Sequence, residues 1–173
     1  MMYTDQETTL DNLKRVSAEA LRCMQCGICS SSCPSGRHTS LNIRKLVKIA
    51  GKTTDILSNE ELWMCTTCYN CQERCPRDID IVDILLDIRA ISVKNGRIHP
   101  EHRNICMMLI EHGHAVPINE EIRKKRTTIG LEEFPETVHK YKDGLKEVKD
   151  LLASCGFEEL IIQTEQTEKD GNI

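Results

Sequence analysis

Eight of the ten cysteines in this 173-residue chain fall in two short runs of the same pattern. The first run is CMQCGICSSSCP, residues 23–34; the second is CTTCYNCQERCP, residues 65–76. Both read C-x2-C-x2-C-x3-C-P. Any fold adopted by this chain must gather thiols at close quarters twice, and that demand constrains it more than any other signal in the sequence. Gaps of two and three residues suit metal ligation better than disulfide bridging, and the polar, acidic start MMYTDQETTLDN reads as neither a signal peptide nor a transit peptide.

Zinc is the first competitor for such thiols. Structural zinc sites combine two C-x2-C pairs across a longer loop. Three cysteines at i, i+3 and i+6 do not divide into pairs; they suit three corners of a cube. The full pattern, with its closing proline, is that of bacterial ferredoxin-type [4Fe-4S] sites, whose fourth cysteine serves the other cluster when two are present. The proline after each fourth cysteine turns the chain away from the loop. The expectation is therefore two [4Fe-4S] clusters, one held by Cys23, Cys26, Cys29 and Cys75, the other by Cys65, Cys68, Cys71 and Cys33.

Composition fits a globular cofactor protein. Hydrophobic residues make up 39% and charged residues 29%, but aromatics only 3%. The core must then rest on Leu, Ile, Val and Met, or on something that is not a side chain. A formal charge of −4 without a basic stripe gives no sign of nucleic-acid binding. The longest apolar run, Ile105 to Ile110, falls far short of the roughly 18 residues that span a bilayer. A cytoplasmic protein is expected.

The periodicity is helical throughout. Leu10, Leu13, Val16, Ala20 and Leu21 mark an amphipathic helix leading to Cys23. SLNIRKLVKIAG reads as a helix capped by Ser40 and stopped at Gly51, and Ser58 with Glu61 has the spacing of a capping box. DIDIVDILLDIRAISVKNG is the strongest signal: Asp80 as cap, a wide apolar face from Ile81 to Ile91, and Gly96 as stop, which predicts burial on more than one side. Pro100 opens another helix carrying Ile105, Met108, Leu109 and His112, and Asn119 starts a short basic one ending near Thr128. A last helix is expected from Pro135, with Val138, Tyr141, Leu145, Val148, Leu152 and Cys155 as an a/d seam. The tail QTEQTEKDGNI is polar and expected to be disordered. No period-2 strand appears, and the two cysteine runs, each followed by an apolar helix, suggest an internal repeat.

Around the runs, Gly27 and Ser30–Ser32 would let N–H groups approach sulfur, while Met24, Ile28, Trp63, Met64 and Ile79 could exclude water. Arg22, Arg37, Arg74 and Arg77 either offset the charge of thiolate-ligated clusters or are ordinary surface. Cys106 and Cys155 read as buried structural thiols. His99, His102, His112 and His114 read as helix-face or loop residues.

The chain has no G-x-G, H-E-x-x-H or G-x-S-x-G motif, and no dithiol left over for catalysis. The residues alone therefore point to an electron relay inside a larger redox system. The two complete runs, the helical link between them and the stretch LWMCTTCYNCQERCPRDIDIVDILLDIRA together resemble the C subunit of heterodisulfide reductase from methanogenic archaea, over residues 15–115. The dicluster part is also similar to the α-helical ferredoxin domains of succinate dehydrogenase and glycolate oxidase iron–sulfur subunits, but the chain lacks the Cys-Cys pairs of the latter. The resemblance implies an all-α, α-helical ferredoxin-like fold: an N-terminal helical extension (1–22), a dicluster domain (23–114), and a C-terminal helical extension with a polar tail (115–173). It implies a non-catalytic electron-transfer subunit of an oxidoreductase complex. Electrons would pass from a flavin-containing A subunit to a catalytic B subunit that reduces the coenzyme M–coenzyme B heterodisulfide. It also implies association with a hydrogenase or a formate dehydrogenase. A relay in a heterodisulfide-reductase-like or quinone-linked dehydrogenase complex is the alternative.

Overall fold

In a computed structural model of the protein, residues 6–162 are described, without the side chains of residues 6–10 and 12. The polar tail expected from Gln163 onward and the first five residues lie outside the described residues. The helices follow one another as α1 Gln6–Leu21, α2 Ile28–Ser32, α3 Ile43–Ala50, α4 Asn70–Glu73, α5 Ile81–Lys94, α6 Pro100–His112, α7 Glu120–Thr128 and α8 Gly144–Ser154, and residues 157–162 are helical as well. Single 3-10 turns lie at Ser35–Arg37, Thr54–Ser58, Glu60–Met64 and Val138–Lys140. Among the described residues there is no strand, and no helix is long and apolar enough to cross a membrane. The fold is all-α, as the periodicity predicts. By packing, the chain divides after Arg97 into two compact units, so that α1 belongs with the cysteine runs and α6 begins the second unit.

The core of the first unit rests on α5. Ile81, Val82, Ile84, Leu85, Ile88 and Ile91 are all buried, which confirms the wide face read from the sequence. Val16 and Ala20 of α1, Ile43, Leu46 and Val47 of α3, and Ile56 and Leu62 from the 3-10 turns complete it. Cys29, Cys33 and Cys71 belong to the same buried cluster, so ligand loops and core are continuous. Burying each large aliphatic contributes about 1.5–3 kcal/mol before conformational entropy is set against it. Ser92, the one fully buried polar side chain among the described residues, is satisfied by donating to Ile88 O at 2.8 Å.

Helix starts differ in detail from the sequence reading, for one physical reason. α3 begins after Asn42, not Ser40: Asn42 accepts from Lys45 N–H, and Ser30 Oγ, from the first cysteine run, donates to Asn42 Oδ1 at 3.0 Å and accepts from Arg44 N–H at 2.9 Å. At α5 the Asp80 side chain caps no N–H itself. Gln72, from the second run, donates to Asp80 at 3.0 Å and accepts from Val82 N–H at 2.9 Å. Ser30 and Gln72 are 42 residues apart, the offset between the runs. Each run therefore caps the helix that follows it, so helix and ligand loop cannot shift independently. Asn59, not Ser58, caps the turn Glu60–Met64.

In the second unit α6 packs against α8, and α7 matches its expected span. The helix expected from Pro135 begins at Gly144, nine residues later. His114 stacks on His139 with ring centroids 5.2 Å apart, Thr137 Oγ1 pairs with His114 Nε2 at 2.7 Å, and His139 Nε2 donates to His112 O at 3.0 Å. This clasp holds Thr137–Lys140 out of helical register. Gly144 sits so close to Val138 that a Cβ there would meet its carbonyl at 2.7 Å. The a/d seam is broken accordingly: Tyr141 is exposed, and Cys155 is an exposed residue at the end of α8 rather than a buried thiol.

The two kinds of support separate by magnitude. Ile88→Ala leaves a cavity at the centre of α5 and should cost about 2–5 kcal/mol, whereas Gln72→Ala, which frees one helix-start N–H, should cost about 1 kcal/mol. Anaerobic urea unfolding of the full chain, followed by circular dichroism, measures both; equal losses would contradict this division of labour.

Candidate metal centre

Each cysteine run wraps in the same way, down to individual dihedral angles. In the first, Gln25 and Gly27 have φ of 60° and 85°; in the second, Thr67 and Tyr69, 42 residues on, have φ of 51° and 61°. Non-glycine residues in the left-handed region are uncommon and cluster at functional loops. The second residue of each pair starts a short helix, α2 or α4, and the bonds of the two loops correspond: Ser31 N–H to Gly27 O with Glu73 N–H to Tyr69 O, and Cys33 N–H to Ser30 O with Cys75 N–H to Gln72 O. Burial follows the same order. Cys23 and Cys65 are half-buried, Cys26 and Cys68 exposed, Cys29 and Cys71 buried; of the fourth cysteines, Cys33 is buried and Cys75 half-buried.

Two hydrogen bonds tie the runs to each other, again as a pair. Ser35, two residues past Cys33, donates from Oγ to Met64 O, just before Cys65, at 2.6 Å. Arg77, two residues past Cys75, donates from Nε to Arg22 O, just before Cys23, at 3.3 Å. Arg22 returns a bond to Arg77 O at 3.1 Å, and α2 packs against α4. Each run's fourth cysteine is thus anchored at the entrance of the opposite run. A cavity of about 340 Å³, counting its mouth, is lined by Cys23, Cys26, Cys29 and Cys75 together with Met24, Val47, Ile79 and Ile81. The structure brings Cys75 to the first run's thiols, not merely to its own.

Electrostatics links thiols of the two runs. Burial pushes the Cys71 thiol up to about 12, with Cys65, Cys29 and Cys33 adding negative charge nearby. Burial also raises the Cys29 thiol, with Cys23 and Cys26 as further causes, against which the N–H and hydroxyl of Ser30 act. Cys33 therefore lies in the field of Cys71, from the other run. These thiols suit a shared, iron-rich group. Among the described residues no three His, Cys, Asp or Glu side chains converge on the position of a single ion. Zinc draws four ligands to one point, whereas each iron of a [4Fe-4S] cube takes one thiolate, so four thiols around a cavity fit the cube.

Several neighbours were not legible in the sequence. Of the N–H groups expected near sulfur, those of Ser30 act on Cys29, but Gly27 serves as a turn residue. The other donors are Gln25, whose main-chain and side-chain N–H both reach Cys23 Sγ (3.4 and 3.3 Å), and Gly36, whose N–H reaches Cys33 Sγ at 3.3 Å. A Cβ on Gly36 would lie 2.7 Å from Leu41 O, so that approach requires glycine. Ile79 is buried and Trp63 and Met64 are half-buried, but Met24 and Ile28 are exposed. Arg22, Arg74 and Arg77 hold main-chain or Ser32 oxygens between the runs. Arg89, inside the apolar helix α5, is half-buried and donates to Leu62 O from Nε at 2.9 Å and to Cys65 O at 2.8 Å. Cys106 is half-buried, and burial raises its thiol.

Comparison with known proteins accords with this geometry. Residues 19–79 match the family described as 4Fe-4S dicluster domain. The chain is 51% identical over 155 residues to the ferredoxin:CoB-CoM heterodisulfide reductase C subunit of Methanosarcina mazei, covering 89% of this chain and 96% of that one. It is 50% identical over 156 residues to the ferredoxin/F(420)H(2)-dependent CoB-CoM heterodisulfide reductase C subunit of Methanosarcina acetivorans, covering 90% and 97%. Over 154 residues it is 41% identical to the H(2):CoB-CoM heterodisulfide,ferredoxin reductase C subunit of Methanothermobacter thermautotrophicus, covering 87% and 83%.

Thiols that burial keeps protonated give the cluster-free chain a defined pH dependence. A folded pKa above the ordinary 9.0 means that Cys71 stabilises the fold below pH 9 and costs stability as pH climbs toward about 12. The cluster-free protein should lose urea resistance over that window, and Cys71→Ser should remove part of the slope; an identical slope in the variant would contradict the assignment. Loading the cluster, which needs thiolates, releases protons and should become more favourable as pH rises.

Proposed function

The chain belongs to the family of heterodisulfide reductase C subunits, and from that premise we propose that it is the electron relay of such a reductase, carrying electrons from a flavin-containing A subunit to a B subunit that reduces the coenzyme M–coenzyme B heterodisulfide. When bound, a pair of [4Fe-4S] clusters accepts and gives up electrons one at a time. On this reading Cys23, Cys26, Cys29 and Cys75 hold one cluster and Cys65, Cys68, Cys71 and Cys33 the other. The reciprocal bonds Ser35 to Met64 O and Arg77 to Arg22 O carry the proposal, because they tie the exit of each run to the entrance of the other.

The residues divide the remaining work. The left-handed turns at Gln25, Gly27, Thr67 and Tyr69 bend each loop between its successive thiols. Ile79, Ile81 and Val47 keep the first site's inner wall dry, and Gln25 and Gly36 donate hydrogen bonds to ligand sulfur. No residue is assigned a catalytic role: cleaving a disulfide consumes two electrons and two protons, and both meet on the B subunit in this proposal. The relatives at 50–51% identity carry ferredoxin in their names as reductant, which favours ferredoxin as the ultimate donor here. A hydrogenase in the larger complex is the second reading, supported by the H(2)-named relative at 41%.

Anaerobic purification from the native source tests the proposal. A flavin-containing chain and a second iron–sulfur chain should co-purify, and the isolated relay should contain iron and sulfide for two clusters and show magnetically interacting spins when reduced. A colourless, sulfide-free protein, or recovery of the chain without partners, would overturn it.

A further inference from the structure

The internal repeat is broken at one charged position. Through the caps of the two following helices, Asn42 in the first half corresponds to Asp80 in the second, and Arg44 to Val82. The same register sets Arg89 against Gly51. Their neighbours correspond as well: Gly51 packs against Leu21, and the Arg89 guanidinium lies 5.7 Å from the ring centre of Trp63, the residue 42 positions after Leu21. In the second half a half-buried guanidinium therefore grips Leu62 O and Cys65 O, at the entrance of the ligand loop. In the first half that position carries no side chain at all.

The cations near the first site are of another kind. Arg22 is exposed and paired with Glu19 at 2.5 Å, with Asp78 and Asp80 also within its field. Arg77 is exposed. Arg89 forms no ion pair with a carboxylate among the described residues; the one negative group that acts on it is the Cys65 thiol. Its charge is thus not offset by a carboxylate, and partial burial reduces its screening by solvent.

We propose that Arg89 is the residue that makes the two sites unequal: its fixed positive charge raises the reduction potential of the cluster bound by Cys33, Cys65, Cys68 and Cys71 above that of the cluster bound by the other four cysteines. This rests on the two-cluster reading above. The opposing effect is the larger number of neutral donors at the first site, two from Gln25 on Cys23 and those of Ser30 on Cys29. A full charge acts over a longer range than a neutral N–H dipole and strengthens as water is excluded, so Arg89 outweighs them. An electron added to the chain then resides on the second side; it comes from the reductant of the proposed complex, and no bond or proton changes in the exchange. Arg89 is a positioning and potential-setting residue, not a catalytic one.

Spectroscopically monitored redox titration of the full chain tests this. Arg89→Gln should lower the midpoint potential of one cluster only, and Arg89→Lys, which keeps the charge, should restore most of the difference. In the wild type, Cys68→Ser should alter the spectrum of the cluster reduced first, and Cys26→Ser that of the cluster reduced second. Unchanged potentials in an Arg89→Gln protein with both clusters present, or the opposite order of reduction, would overturn the proposal. If Arg89→Gln does not retain its clusters, the order of reduction in the wild type and the Arg89→Lys potential decide it. Iron and sulfide content of the wild type separates failure of this inference from failure of the two-cluster reading.

Discussion

The reciprocal hydrogen bonds between the exit of each cysteine run and the entrance of the other are the constraint on which the first unit depends. A C-x2-C-x2-C loop can array three thiols around one cavity, at the cost of two left-handed residues, but the proline after the fourth cysteine takes the chain away. On the proposed pairing, closing each set of four requires the other half of the protein. Ser35 on Met64 O and Arg77 on Arg22 O supply that closure with different side chains at equivalent positions. What the repeat preserves is the bond, not the residue.

This arrangement explains why so small an aromatic content suffices. Cys29, Cys33 and Cys71 are packed in the same buried cluster as the aliphatic faces of α1, α3 and α5, so ligand and core positions are shared. Ser30 and Gln72 then lock the start of the following helix to each loop. Stability and cofactor binding are coupled for that reason: movement of α3 or α5 displaces a ligand loop, and thiols that burial holds protonated must lose their protons before iron can bind.

Much of this was legible in the sequence because it is carried by spacing. The all-α class, α5 with its wide buried face, α7 and its Asn119 cap, and the four-cysteine pattern all follow from periodicity and from residue types with strong local preferences. What was not legible depends on contacts between distant residues. The helix expected at Pro135 gives way to the His112–His114–His139 clasp, which periodicity cannot anticipate, and Gly144 within the apolar pattern was the one local signal against it. Ser40 yielded to Asn42 because Ser30 reaches across from the first run. Arg89 was hidden within the most apolar helix of the chain, where a lone arginine reads as solvent-facing until the carbonyls it grips are placed.

Kinship with heterodisulfide reductase C subunits and the dicluster match account for the cysteine content, while the cross-run bonds support the proposed division of the eight thiols into two crossed sets. The direct measurement is iron content in paired cysteine variants of the full chain, purified without oxygen. Cys75→Ala, Cys23→Ala and the two combined should each lose one cluster's worth of iron, whereas Cys75→Ala combined with Cys65→Ala should lose nearly all of it. If instead Cys75→Ala with Cys65→Ala keeps one cluster and Cys75→Ala with Cys23→Ala keeps none, each run binds its own cluster and the crossed arrangement is wrong.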